Sequence, residues 1–99
     1  QKAADNGDIT GTYYLGHMYE AGLGIVRNYD KARQLYQKSA ERGDVIAAPG
    51  MVAVGRLYEN GLGVNKNIQE AKKWYQKALN AGYKDAATDL ARVQIPTEK

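Results

Sequence analysis

A chain of 99 residues allows one small domain with a modest core, and 43% hydrophobic against 25% charged residues is an ordinary globular balance. No stretch approaches the ~20 apolar residues of a membrane span, and without cysteine both disulfides and thiolate metal sites are excluded. The net charge of +3 is mild and the lysines are scattered, so charge alone does not point to nucleic acid.

The opening, Gln1-Lys2-Ala3-Ala4-Asp5-Asn6-Gly7, has no apolar signal-peptide core and reads as cut from a longer protein. A lack of cysteine fits the cytosol, and it fits a periplasmic or secreted protein that uses no disulfides. The first periodic segment places Leu15, Met18, Tyr19 and Gly22 on one helical stripe, in a helix expected to begin near Thr10. Gly22 is placed to end that helix in the left-handed region, with Leu23 supplying the contact that accompanies such a stop. Asn28 is an N-cap candidate for a second helix packing through Ala32, Leu35, Tyr36 and Ser39, which Gly43 ends.

The same wording then returns. Residues 15–40 shifted by 39 fall on residues 54–79 with eleven of 26 positions identical, among them Gly16/Gly55, Tyr19/Tyr58, Glu20/Glu59, Asn28/Asn67, Ala32/Ala71 and Tyr36/Tyr75. A fixed period of this size marks a stacked repeat. Upstream the register differs: Gly7-Asp8 matches Gly43-Asp44 at a shift of 36, leaving three extra residues between Gly43 and Gly55. Pro49 is tolerated at a helix start and not in an interior, so the extra residues are assigned to a loop before that helix. The loop carries Val45 and Ile46, either at the rim of a groove or tucked onto the preceding helix pair. In the second repeat Asn67 is the N-cap and Glu70 a capping-box partner, while Trp74 and Tyr75 fill the gaps between helices. A third copy begins at Gly82 and runs through Leu90-Ala91-Arg92. The organisation is therefore a tail of an earlier repeat at 1–6, repeats at 7–42 and 43–81, a further first helix at 82–95 and a tail at 96–99.

The two stretches LGHMYEAGLGIVRNYDKARQLYQKSAERG and VGRLYENGLGVNKNIQEAKKWYQKALNAG resemble the Sel1-like repeat, a relative of the tetratricopeptide repeat with a longer inter-helix turn. The resemblance covers nearly the whole chain. Asn28 and Asn67 stand where the family usually has Asp, and Leu35 replaces the Trp that the second repeat keeps as Trp74. The resemblance implies an all-α fold, an α-solenoid of antiparallel helix pairs in a right-handed superhelix. It further implies an adaptor that binds a protein or peptide on its concave face, with no cofactor, no membrane insertion and no nucleic acid. By position on the first helices, Thr10, Tyr13, His17, Glu20, Val52, Arg56, Asn60, Asp85, Thr88 and Arg92 are the expected contact residues.

Other motifs have simpler readings. Gly22-Leu23-Gly24 and Gly61-Leu62-Gly63 follow helices rather than strands, so they are turns and not phosphate loops. Glu20 and Glu59 lie one repeat apart and are read as holding inter-helix or loop hydrogen bonds, not as an acid–base pair. His17 is the lone histidine and has no companions for a metal or catalytic site. Tyr13 falls off the core stripe and is the better contact candidate among eight tyrosines. The lysines of the second helices read as a solvated convex face. An enzyme, hydrolase-like, and a nucleic-acid binder are the rival classes. Cut repeat ends leave an apolar face, expected around Ile9 and Tyr14, together with self-association.

Overall fold

The computed structural model describes residues 6–94; of the tails expected at 1–6 and 96–99, all but Asn6 lie outside the described residues. The described chain forms α1 (Asn6–Ala21), α2 (Tyr29–Ala40), a 3-10 turn (Val45–Ala47), α3 (Ala48–Asn60), α4 (Ile68–Asn80) and α5 (Ala86–Gln94). Among the described residues there is no strand. Helix α1 pairs with α2 and α3 with α4, while α3 also packs on α2 and α5 on α4. The result is an all-α solenoid of stacked helix pairs.

Local chemistry sets each pair. Gly22 and Gly61 take φ of +72° and +68°, the left-handed region where a side chain is strained. The Gly22 and Leu23 N–H groups both donate to the Met18 carbonyl, at 2.8 and 3.0 Å, and Leu62 donates to the Leu57 carbonyl at 2.9 Å. The connecting segment is then pulled back onto the first helix: Asn28 N–H donates to Tyr19 O and Asn67 N–H to Tyr58 O, each at 2.8 Å. Both asparagine side chains cap the next helix, accepting from Lys31 N and Glu70 N at 3.0 Å. The expected capping box at Glu70 does not form. The Asn67 N–H already belongs to Tyr58, and the Glu70 carboxylate accepts from the Trp74 indole at 3.2 Å.

The core runs between repeats. Ala32 and Tyr36 of α2 meet Ala53, Val54 and Leu57 of α3, and Ala71 and Tyr75 of α4 meet Leu90 of α5. Two sequence expectations fail on α1. Leu15 and Met18, expected in the core, are 38% and 37% exposed, whereas Ile9, expected at the surface, is 3% exposed. Leu15 and Met18 match Val54 and Leu57, which α2 covers; no described helix stands on that side of α1. Ile9 packs with Ala40, Ala48 and Met51, and its carbonyl accepts from Ser39 Oγ at 2.8 Å. Tyr14 is exposed as expected. Helix α1 also starts at Asn6, earlier than Thr10, so Gly7 is helical and is no counterpart of Gly43, which has φ +79°.

Pro49 sits in the first turn of α3, as its chemistry requires. The residues before it are not a loop. Asp44 caps them, its side chain accepting from Ala47 N at 3.2 Å, and Val45–Ala47 form a 3-10 turn that runs straight into α3. Val45 and Ile46 remain partly exposed there.

Candidate functional site

Each repeat carries one buried tyrosine that crosses from the second helix to the first. The rings of Tyr36 and Tyr75 lie against Gly16 and Gly55, where an added Cβ would stand 2.9 and 2.7 Å from ring carbons. This close approach lets the hydroxyls reach the end of the first helix. Tyr36 donates to Glu20 Oε1 at 2.6 Å and Tyr75 to Glu59 Oε1 at 2.7 Å. The carboxylates then bind forward into the next repeat. Arg56 of α3 pairs with both Glu20 oxygens, and Arg92 of α5 holds both Glu59 oxygens at 2.9 and 2.8 Å. A charge-assisted, two-pronged pair of this kind fixes orientation as well as distance.

The same Tyr–Glu–Arg clamp therefore joins α1 to α3 and α3 to α5. Burial pushes the Glu20 carboxyl up, but hydrogen bonds from Arg56 and Tyr36 outweigh it and hold the group below the usual carboxylate range. The Arg92 hydrogen bonds hold Glu59 low, against a smaller effect of burial. Tyr36 and Tyr75 are raised, by burial first and then by the carboxylate each one faces. Of the inter-helix and loop hydrogen bonds expected of these carboxylates, the inter-helix ones form.

Beside the first clamp lies a cleft of about 80 Å³, lined by Tyr13, Pro49, Val52, Ala53, Arg56 and Tyr83. It joins α1, α3 and the turn before α5. Tyr13 is half-buried rather than free: its ring stands 5.6 Å from Tyr36 and 5.3 Å, edge on, from Tyr14. Tyr83 has its phenol raised by burial and by nearby Asp85. Of the ten expected contact residues, Tyr13, Val52 and Arg56 line this cleft. Thr10, His17, Asn60, Asp85 and Thr88 are exposed, and Glu20 and Arg92 are engaged in the clamps. Pro49, Ala53 and Tyr83 also line the cleft but were not among the expected contact residues. Pro49 comes from the interval where the repeats differ in length, so no periodic signal marks it.

A larger, shallow hollow of about 480 Å³ runs along α4, with Lys72, Lys73, Gln76, Lys77 and Leu90 on its wall. Its lysines are partly engaged: Lys73 stands 3.7 Å from Glu70, and Lys77 lies 5.0 Å over the Trp74 ring. Among the described residues, no group of three or more His, Cys, Asp or Glu is placed to hold a metal ion. No helix among them is long and apolar enough to cross a membrane.

Helix pairs closed by a Gly-Leu-Gly turn, capped by Asn and clamped forward define a tetratricopeptide-like solenoid repeat. The Sel1 repeat family model matches residues 10–44 and 48–83, and the chain belongs to that family. It is similar to the DAP3-binding cell death enhancer 1 of Rattus norvegicus, 50% identical over 42 residues, and to that of Mus musculus, 45% identical over 42 residues. Each alignment covers 42% of this chain and 8% of the relative. Among solved structures, a Sel1 repeat protein from Oxalobacter formigenes matches 85% of this chain and 33% of its own, at 33% identity and TM-score 0.73. The protective antigen c5321 of uropathogenic Escherichia coli, with an SLR fold, matches 93% of this chain and 19% of its own, at 33% identity and TM-score 0.78. The chain thus spans a small part of the relatives it matches. Sel1 repeats generally mediate protein–protein interaction, and the fold is typically a non-enzymatic scaffold.

Proposed function

We propose that this chain recognises a segment of a partner protein across its first helices, with the cleft between Tyr13 and Tyr83 as the anchoring pocket. The observation that carries this reading is the convergence of two tyrosines, Pro49, Val52 and Arg56 on one hollow of about 80 Å³ at the junction of two repeats. That volume is on the scale of one partner side chain, since a water's share of liquid is roughly 30 Å³. Aromatic walls with one arginine at the edge are the residue types enriched where interfaces concentrate their energy. Arg56 is already oriented by Glu20, so ordering it on binding costs little. The mammalian relatives are named for binding DAP3, which favours a protein partner over nucleic acid.

The test is selection of a random peptide library on the parent chain, followed by titration of the winners against Tyr83→Ala and Val52→Glu. Both residues also pack against the core, so binding is read at a temperature where each variant is shown to be folded, and the expected result is a loss of at least tenfold in affinity. Peptides that bind the variants as well as the parent would remove the cleft from the reading. Binding to duplex or single-stranded nucleic acid that falls steeply with salt would move the function to the lysines of α4.

A further inference from the structure

The two clamps differ by one carboxylate. Arg56 and Arg92 are equivalents at a shift of 36, and so are Ala53 and Asp89, each three residues before its arginine. Arg92 serves two anions. Glu59 accepts from its Nε and Nη2 at 2.9 and 2.8 Å, and Asp89 Oδ1 accepts from the same Nη2 at 2.9 Å. Arg56 serves one anion among the described residues, giving Nη1 and Nη2 to the two oxygens of Glu20. A guanidinium carries five N–H donors, so one carboxylate leaves donors to spare. Where the second clamp has the Asp89 carboxylate, the first has only the methyl of Ala53. Ala53 and Arg56 both line the cleft of about 80 Å³.

We propose that the cleft takes a side-chain carboxylate, an aspartate or glutamate of the partner segment, seated on Arg56 as Asp89 sits on Arg92. This rests on the cleft being the anchoring pocket and names the chemistry that enters it. Charge complementarity supports it: among the described residues on the wall, the charged group is a guanidinium and none is a carboxylate. The Arg56 side chain is 37% exposed, so an anion can reach it from solvent. Tyr13 and Tyr83 bring phenols, which donate to a carboxylate while they keep their protons. Burial and the nearby Asp85 hold the Tyr83 proton in place. A lysine or arginine of the partner is the poorer fit. Asp89 is already paired with Arg92, and Asp85, although its charge acts on Tyr83, is exposed and off the wall.

The probes are the peptides selected on the parent chain, together with copies in which each aspartate or glutamate is changed in turn to asparagine or glutamine. Every peptide that loses affinity on Tyr83→Ala should contain one acidic residue whose neutral copy binds the parent at least tenfold more weakly. The acidic peptide should shift the Arg56 Nε–H resonance, and the neutral copy at equal occupancy should not. Ala53→Asp supplies the missing carboxylate from within, and should abolish the difference in affinity between each acidic peptide and its neutral copy. If that variant does not fold, the neutral copies and the Arg56 resonance on the parent decide alone. Cleft-dependent peptides that need a lysine, an arginine or an apolar residue and no acidic one overturn the inference, while the cleft stands as the anchor. An acidic residue that is required yet leaves the Arg56 Nε–H unmoved also overturns it, since the carboxylate then sits on another cation. Peptides indifferent to both Tyr83→Ala and Val52→Glu overturn the inference and the cleft together.

Discussion

Gly24 and Gly63 hold the same place in the two inter-helix turns, with φ of +72° and +75°. Their surroundings differ. A Cβ on Gly24 meets nothing within 4 Å, while one on Gly63 would stand 2.6 Å from Tyr29 Cβ and 3.2 Å from its carbonyl carbon. Gly63 is therefore where the second turn presses on the start of α2. Gly24→Ala should cost about 1 kcal/mol, the left-handed penalty alone. Gly63→Ala should cost roughly 1–3 kcal/mol more, because a backbone-anchored neighbour cannot turn aside. Denaturant midpoints of the two variants measure the difference, and equal midpoints would mean the turn gives way. Glu20→Gln tests the clamp at the same scale. It strips a charged acceptor from buried Tyr36 and from Arg56, and a loss of about 1–3 kcal/mol is expected. Adding Arg56→Met should recover part of it in a double-mutant cycle.

Among the elements, the second helices depend on their asparagine caps. Asn28→Ala and Asn67→Ala should each cost about 1 kcal/mol, lowering the melting temperature by about 4–8 °C in a domain this small. Changing either to Asp should be nearly neutral, since both residues accept from the same N–H. The caps, the glycine stops and Pro49 were legible in the sequence because each depends on chemistry within a few residues. The exposure of Leu15 and Met18 was not. Their spacing declares an apolar stripe, and spacing alone does not say whether a neighbouring helix stands opposite it. Glu70 was misread for a related reason: the motif S/T/N-x-x-E names a geometry, but Trp74 one turn on offered the carboxylate a competing donor. The clamps were half-legible. Glu20 and Glu59 announced themselves by repeating, while their arginines come 36 and 33 residues later, from intervals of unequal length.

At the scale of the molecule, each of the two clamps is a charged link between successive helix pairs. Both carboxylates are held low in the folded state, so their stabilisation is complete above the ordinary glutamate range and is lost as pH falls through the lowered folded values. The melting temperature should be level from neutral pH to about 5 and drop below about 4. The drop should be smaller in a Glu20→Gln, Glu59→Gln double variant, which has already given up the linked protons. Equal acid sensitivity in the variant would assign the effect to other carboxylates. Because each repeat contacts only its neighbours, stability in such arrays is carried by these interfaces, and acid should weaken the coupling between repeats before the helices themselves.

The 3-10 turn at Val45–Ala47 has a consequence in angular terms. A 3-10 helix has 3.0 residues per turn and rises about 2.0 Å per residue. Three added residues in that form advance the chain by about 6 Å and return it to the same rotational phase. Three added α-helical residues would leave it about 60° short of a full turn. Arg56 lies 36 residues beyond Glu20 and Arg92 33 beyond Glu59, yet both arrive on the carboxylate of the preceding repeat. Removal of Val45–Ala47 as a unit should therefore keep the Glu20–Arg56 pair in phase, while removal of two of the three should rotate Arg56 off it. A melt that falls further for the two-residue deletion than for the three-residue one is the expected signature of a phase-preserving spacer.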